Sequence, residues 1–249
     1  MSTTPGVDVT FLLPSESVTL YEPIFVNYSV ENRMVEPIHL DLGLARKDNF
    51  EFSVSAGLWA HRTKSIYEQS ADALYRPGTV TLAPSTVLRG RLVLSEWVAF
   101  DRPRTYTIQA LLADTIWTAS GDSLGRAPAQ SLRLHVHGRS TTRLQSVCQA
   151  LLDAIRSGDF DDAEEAAVAL GHVADKVAVP YLEQALSTRL GGLYAVEGLA
   201  RIGDERAMAL LRSAAEESET SELRPLARFV LSEVEKREGR RRRPRPRRS

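Results

Sequence analysis

Hydrophobic and polar positions alternate one by one through the first half of this chain and recur every three to four residues through the second. Ile24, Val26, Tyr28 and Val30 alternate with Phe25, Asn27, Ser29 and Glu31. That is the pattern of a strand with one buried face, because successive side chains point to opposite sides. Similar stretches predict strands at 7–13, 17–21, 37–42, 50–55, 79–82, 87–94, 106–112 and 132–137. Eight or nine short strands separated by turn residues, with no helical stretch among them, argue for an antiparallel sandwich. Pro14, Pro23, Pro37, Pro77, Pro84 and Pro103 fall at strand edges or in loops, where a missing N–H costs little.

The rhythm changes from two to 3.6 at 138–142. Six helices are predicted beyond it, at 142–157, 162–173, 176–187, 193–202, 205–216 and 222–236. Gly158 is expected to close the first in a left-handed conformation. Asp161 with Glu164 reads as a capping-box-like pair for the second. Asp175 and Asp204 are placed to cap the third and fifth, and Gly191-Gly192 reads as a break between units. Within this half the chain repeats itself: Ala169 to Leu186 aligns without gaps on Gly198 to Ala215, an offset of 29 residues. Stacked helical hairpins produce such an offset, and neighbours share one elongated core because a single hairpin cannot bury its own apolar face. Leu170, Val173, Leu182, Leu186, Leu199, Ile202 and Leu211 are the expected core positions.

The repeat resembles the HEAT-like units of the PBS-lyase repeat family. Ala169-Leu170-Gly171-His172-Val173-Ala174-Asp175 followed by Ala178-Val179-Pro180-Tyr181-Leu182 carries the likeness, and Leu199 to Asp204 with Ala207 to Leu211 repeats it. The resemblance implies an all-α stack whose members mostly bind partners. Hydroxylases built on such repeats carry His-Glu iron pairs; here His172 is followed by Val173, so that activity does not carry over. The first half, through Thr79-Val80-Thr81-Leu82, Leu92 to Trp97 and Pro103 to Ala110, resembles immunoglobulin-like modules such as bacterial intracellular proteinase-inhibitor domains. That likeness implies a tyrosine corner at Tyr106, its hydroxyl bonding back to the backbone. The resulting organisation is an immunoglobulin-like antiparallel β-sandwich over 1–138, a HEAT-like helical repeat domain over 142–238 and a disordered Arg-rich tail over 239–249.

A length of 249 residues suits two such domains. The formal net charge of −1 conceals an asymmetry: seven arginines crowd the last eleven positions, and without them the body holds 24 basic against 32 acidic groups. Such asymmetry marks an interaction tail. The single cysteine, Cys148, excludes an intrachain disulfide framework and a Cys-cluster zinc site. No apolar run reaches the roughly 18 residues of a membrane span. Phe11-Leu12-Leu13 is too short for a signal-peptide core, and no basic residue precedes it. A cytoplasmic protein is therefore expected.

Candidate chemistry is sparse. His135 and His137 share one face of a strand, where two imidazoles can grip a metal, yet no clear third ligand is visible, so no metal site is assigned. Trp59, His61, Arg62, Lys64 and Tyr67 form an aromatic and basic loop that reads either as a binding tip or as a plug at one end of the sandwich. Asp159, Asp161, Asp162, Glu164 and Glu165 are explained by capping and the helix dipole. No nucleophile elbow and no glycine-rich phosphate loop occurs. The expected function is non-enzymatic protein–protein interaction or scaffolding without a cofactor. A partner would dock on Lys176, Glu183, Gln184, Arg206, Arg212 and Ser213 of the stack, with Trp59 and His61 as a second locus. The alternative is a binder of nucleic acid or another anionic surface through Arg240, Arg241, Arg242, Arg243, Arg245, Arg247 and Arg248, whose phosphate contacts would be salt-sensitive and sequence-blind.

Overall fold

The computed structural model describes residues 6–42, 49–55, 60–61, 78–113, 116–217 and 222–242. The chain divides into two compact units, Met1–Ser140 and Thr141–Ser249.

The first unit contains β1 (Val7–Leu12), β2 (Ser17–Thr19), β3 (Phe25–Asn32), β4 (Ile38–Asp41), β5 (Phe50–Ser55), β6 (Ala60–His61), β7 (Thr79–Leu82), β8 (Val87–Val93), β9 (Arg104–Leu112), β10 (Ile116–Thr118) and β11 (Gln130–His137). They form three sheets in the orders β1-β3-β8, β10-β4-β7 and β2-β11-β9-β5-β6. All pairings are antiparallel except β2 with β11, which run parallel. β6 and β10, two and three residues long, are not among the strands the sequence predicts.

Asn32 sits where β3 hands over to β4 and β7 to β8. Its backbone N–H donates to Thr86 O at 3.0 Å and its carbonyl accepts from Ser85 N at 2.8 Å. Its side-chain amide donates to Glu36 O at 2.9 Å and Leu82 O at 3.0 Å. A fully buried polar side chain is tolerated here because its donors are paired.

The apolar face of every long strand points into one core. Val26, Val30, Ile38, Leu40, Ile108 and Leu134 are all buried in it. Phe11 meets Phe50 and Phe52 edge-on, with centroids 6.3 and 6.2 Å apart, and Tyr28 tilts against Phe50 at 4.8 Å. Gln130 joins β1 to β11 by imitating a strand: its amide accepts from Phe11 N and donates to Phe11 O, both at 2.8 Å. Tyr106 donates its hydroxyl to Arg102 O at 2.9 Å, the local bond expected of it.

The second unit contains α1 (Thr141–Ser157), α2 (Phe160–Gly171), a 3-10 turn (Lys176–Ala178), α3 (Val179–Ala185), α4 (Arg189–Ile202), α5 (Glu205–Glu217) and α6 (Leu223–Arg242). α2 packs on α1 and α4, and α4 on α2 and α6, while α3 lies between α1 and α5. The helices thus form two rows, α1-α3-α5 and α2-α4-α6. Asp175 accepts from Val177 N at 2.9 Å and Asp204 from Ala207 N at 2.8 Å, so both repeats open on the expected cap. Leu170, Val173, Leu182, Leu199 and Leu211 are buried, while Leu186 and Ile202 are only half-buried.

Four local expectations are corrected. Asp159, two residues before Asp161, caps α2 by accepting from Asp162 N at 2.9 Å. Gly158 is absent from the positive-φ residues, and its need is steric: a Cβ there would stand 2.6 Å from Ala154 O. Gly191 and Gly192 do not break the chain but form the first turn of α4, capped by Thr188 at 3.0 Å, because a Cβ at 191 would stand 2.9 Å from Ala185 O. Finally, α6 runs past Gly239 through Arg242. One glycine costs a helix only about 1 kcal/mol, so Gly239 does not end it.

Candidate functional site

The α1-α3-α5 row gathers most of the polar surface expected to meet a partner. Lys176, Glu183, Gln184, Arg206, Arg212 and Ser213 are all exposed. Two contacts stitch this row across helices. Glu183 of α3 pairs with Arg206 of α5 at 2.8 Å, and Gln184 of α3 accepts from Arg156 of α1 at 3.0 Å. Exposed pairs of this kind contribute about 0–1 kcal/mol to stability, so the row is held together by packing and its charges remain available. Arg156 belongs to this strip but was not singled out from the sequence. It lies outside the repeated segment, and only the packing of α1 on α3 brings it in.

A second link ties consecutive units through equivalent positions. His172 and Arg201 are 29 residues apart, the repeat offset. Arg201 donates from Nη1 to Gly171 O and from Nη2 to His172 Nε2, the latter at 3.3 Å. His172 Nδ1 lies 2.9 Å from Val168 O, so the ring donates there and accepts from the guanidinium. The offset was the signal that could have found this pair. Its chemistry is structural: both nitrogens of the imidazole are engaged.

The acidic run at the start of α2 is partly covered. Glu164 and Glu165 are buried, as are Asp175 and Glu197 of α4, and Tyr194 donates to Glu164 Oε1 at 3.4 Å. α2 is buried without interruption from Ala163 to Gly171, because alanine and glycine let neighbouring helices approach so closely that the carboxylates between them are covered. Cys148 is buried on α1. Burial, reinforced by the charge of Asp175, pushes its thiol up to about 12, which makes it an inert core residue rather than a nucleophile.

The remaining sites divide. Trp59, Arg62, Lys64 and Tyr67 lie outside the described residues, and His61 is described only as part of β6. Arg240, Arg241 and Arg242 form the last residues of α6, while Arg243, Arg245, Arg247 and Arg248 lie outside the described residues. Among the described residues, no group of three or more His, Cys, Asp or Glu is placed to hold a metal ion. Nor is any helix among them long and apolar enough to cross a membrane.

The PBS lyase HEAT-like repeat family model matches residues 162–188 and 193–217, two consecutive units that correspond to α2 with α3 and α4 with α5. No curated protein matches the chain. Among solved structures, a structural genomics target named SoR45 shares 12% identity over 52% of this chain and 84% of its own, with a TM-score of 0.29. The sporulation control protein Spo0M of Bacillus subtilis shares 11% identity over 61% of this chain and 55% of its own, at 0.30. A β-glucosidase of Listeria innocua shares 12% identity over 53% of this chain and only 16% of its own, at 0.26. At such scores these likenesses carry no argument about this chain.

Proposed function

We propose that this chain is a non-enzymatic interaction or scaffold protein that captures a protein partner along the α1-α3-α5 row of its HEAT-like stack. The observation that carries the reading is the exposed strip running from Arg156 through Gln184 and Glu183 to Arg206, with Lys176, Arg212 and Ser213 beside it. Repeat stacks present extended surfaces to other molecules, and a strip of mixed charge suits a polar protein interface better than a phosphate backbone. The first unit enters the same proposal as an immunoglobulin-like sandwich, a reading supported by its facing apolar strands and by the Tyr106–Arg102 bond. A cytoplasmic setting accompanies it, in keeping with a single buried thiol.

The test is affinity capture from a lysate with the Glu183→Arg, Arg212→Glu double variant. Loss of the captured partner at an unchanged melting temperature is the expected result; unchanged capture moves the site off this row.

A second reading, polyanion binding through the C-terminus, is favoured by the continuity of Arg240, Arg241 and Arg242 at the end of α6 with the arginines that follow. Truncation before Gly239 should then abolish retention on heparin, and raising the salt should do the same to the full chain. Retention that survives both would place the polyanion site on a folded unit.

A further inference from the structure

The outer face of the five-stranded sheet carries a feature unrelated to partner capture. His135 and His137 stand two residues apart on β11, both exposed. Their rings meet edge to face, with centroids 4.3 Å apart and planes at 75°. Each ring is held on one side by a hydroxyl from a neighbouring strand. His135 Nδ1 lies 2.9 Å from Thr105 Oγ1 of β9, and His137 Nε2 lies 3.0 Å from Ser17 Oγ of β2. With each hydroxyl accepting from the ring N–H, His135 keeps its lone pair on Nε2 and His137 on Nδ1. Metal-binding imidazoles are oriented in this way, their second nitrogen donating to an outer partner that fixes the tautomer.

If both free nitrogens turn onto one ion, with each ring centroid about 3.2 Å from it and the centroids still 4.3 Å apart, the angle at the metal would be roughly 85°. That is nearer the angle of about 90° between cis ligands in tetragonal coordination than the tetrahedral value of about 109°. We propose that His135 and His137 form an open, bidentate surface site for a divalent transition metal of tetragonal preference, Cu2+ ahead of Ni2+, with water in the remaining positions. Cu2+ leads because it heads the affinity order for nitrogen ligands and accepts this geometry. A closed structural zinc site needs four protein ligands at tetrahedral angles and does not fit. Arg133 lies on the same face two residues before His135, and its charge opposes the bound cation.

The experiment uses the full chain, titrated with Cu2+ by calorimetry against glycine as competitor, with electron paramagnetic resonance on the product. One equivalent should bind with two equatorial imidazole nitrogens. The second imidazole adds through its high effective concentration, so His135→Asn and His137→Asn should each weaken binding on the order of 100-fold. Thr105→Val and Ser17→Ala, which leave both imidazoles in place, should each weaken it about tenfold. Arg133→Gln should tighten it, and His172→Asn, whose ring is engaged within the stack, should change nothing. Each variant's apo melting temperature is measured alongside. His135 and His137 are exposed, so it should stay at the wild-type value in their variants, and Cu2+ should raise it only where both remain. Unchanged one-equivalent binding in the His135→Asn, His137→Asn double variant overturns the site. So does wild-type binding no tighter than that of His137→Asn.

Discussion

In the first unit the interior is filled by large side chains that reach across from opposing strands: Phe11 edges onto Phe50 and Phe52, and Tyr28 tilts over Phe50. In the second it is filled by bringing backbones together. α2 is covered from Ala163 to Gly171, a stretch with four alanines and a glycine, and α4 lies against it so closely that a Cβ on Gly198 would stand 3.0 Å from Gly171 Cα and 3.1 Å from Gly171 O. Packing by reach leaves a hole when a side chain is shortened; packing by approach leaves no room when one is lengthened. Shortening a core side chain should therefore weaken either unit, while a single added methyl at the α2–α4 contact should be enough to weaken the second.

The largest effects should come from truncation. Phe11→Ala is expected to cost about 3–5 kcal/mol and Leu199→Ala about 2–5 kcal/mol, the range for large-to-small changes in a core. Trp59, Trp97 and Trp117 all belong to the first unit, so tryptophan fluorescence follows it, while ellipticity at the helical minimum follows the second. Phe11→Ala should shift the denaturation midpoint seen by fluorescence, and Leu199→Ala the one seen by ellipticity. If both substitutions moved both signals equally, the units would not be separable in this way.

A smaller effect, and the sharper test of the contrast, is expected from one added methyl. Alanine is the better helix former by about 1 kcal/mol, so Gly198→Ala would stabilise a helix whose surroundings were open. Against Gly171 and Leu182 Cδ2, the latter 3.1 Å from the added carbon, overpacking should prevail and the variant should lose about 1–3 kcal/mol. Gly138→Ala, whose added carbon meets nothing within 4 Å, should stay within about 0.5 kcal/mol of wild type. A Gly198→Ala protein melting above wild type would show that α2 and α4 do not pack by backbone approach.

The smallest change is a matter of rate. The first unit has no cysteine and the second has Cys148, so thiol labelling at pH 8 reports opening of the helical stack alone. Labelling should be slow in wild type and in Phe11→Ala, and faster in Leu199→Ala. Because the folded thiol is pushed up from 9.0 to about 12, it favours the folded state fully below pH 9. That contribution should be lost as the pH rises from there through 12, when the unfolded chain can ionise and the folded one resists. Fast labelling of wild type at pH 8 would contradict the burial of Cys148.

Wherever one residue type at one spacing decides the outcome, the structure was legible in the sequence. The change of period at 138–142 separates the units, Asp175 and Asp204 cap where the repeat puts them, and Tyr106 finds its carbonyl. Features that depend on a neighbour's distance were not legible. Gly158, Gly191 and Gly192 read as breaks because glycine usually marks them, whereas here each admits a backbone oxygen or a helix. Glu164 and Glu165 read only as carboxylates at a helix start, and their burial depends on how closely the neighbouring helices approach. Of the proposed interaction strip, Glu183, Gln184 and Arg206 lie on the repeated segment, whereas Arg156 joins them only through the packing of α1 on α3. The partner of His172 is legible in the 29-residue offset, which places Arg201 at the equivalent position of the next unit.

The parallel pairing of β2 with β11 carries a consequence for synthesis. Val18 lies beside Val136, and Gln130 closes on Phe11 from a separation of 119 residues. β1 finds its ladder partner early in β3, but a chain made from its N-terminus exposes β2 long before β11, the strand that pairs with it, exists. The helices have no such wait: α2 meets α1 just behind it, and each later helix finds its neighbours within one or two repeats. Contacts that span a long stretch of chain form late and leave apolar edges open meanwhile. The nascent protein is thus most exposed to aggregation in the interval before β11 emerges, and the helical half, made after β11, begins to fold almost as soon as that interval ends.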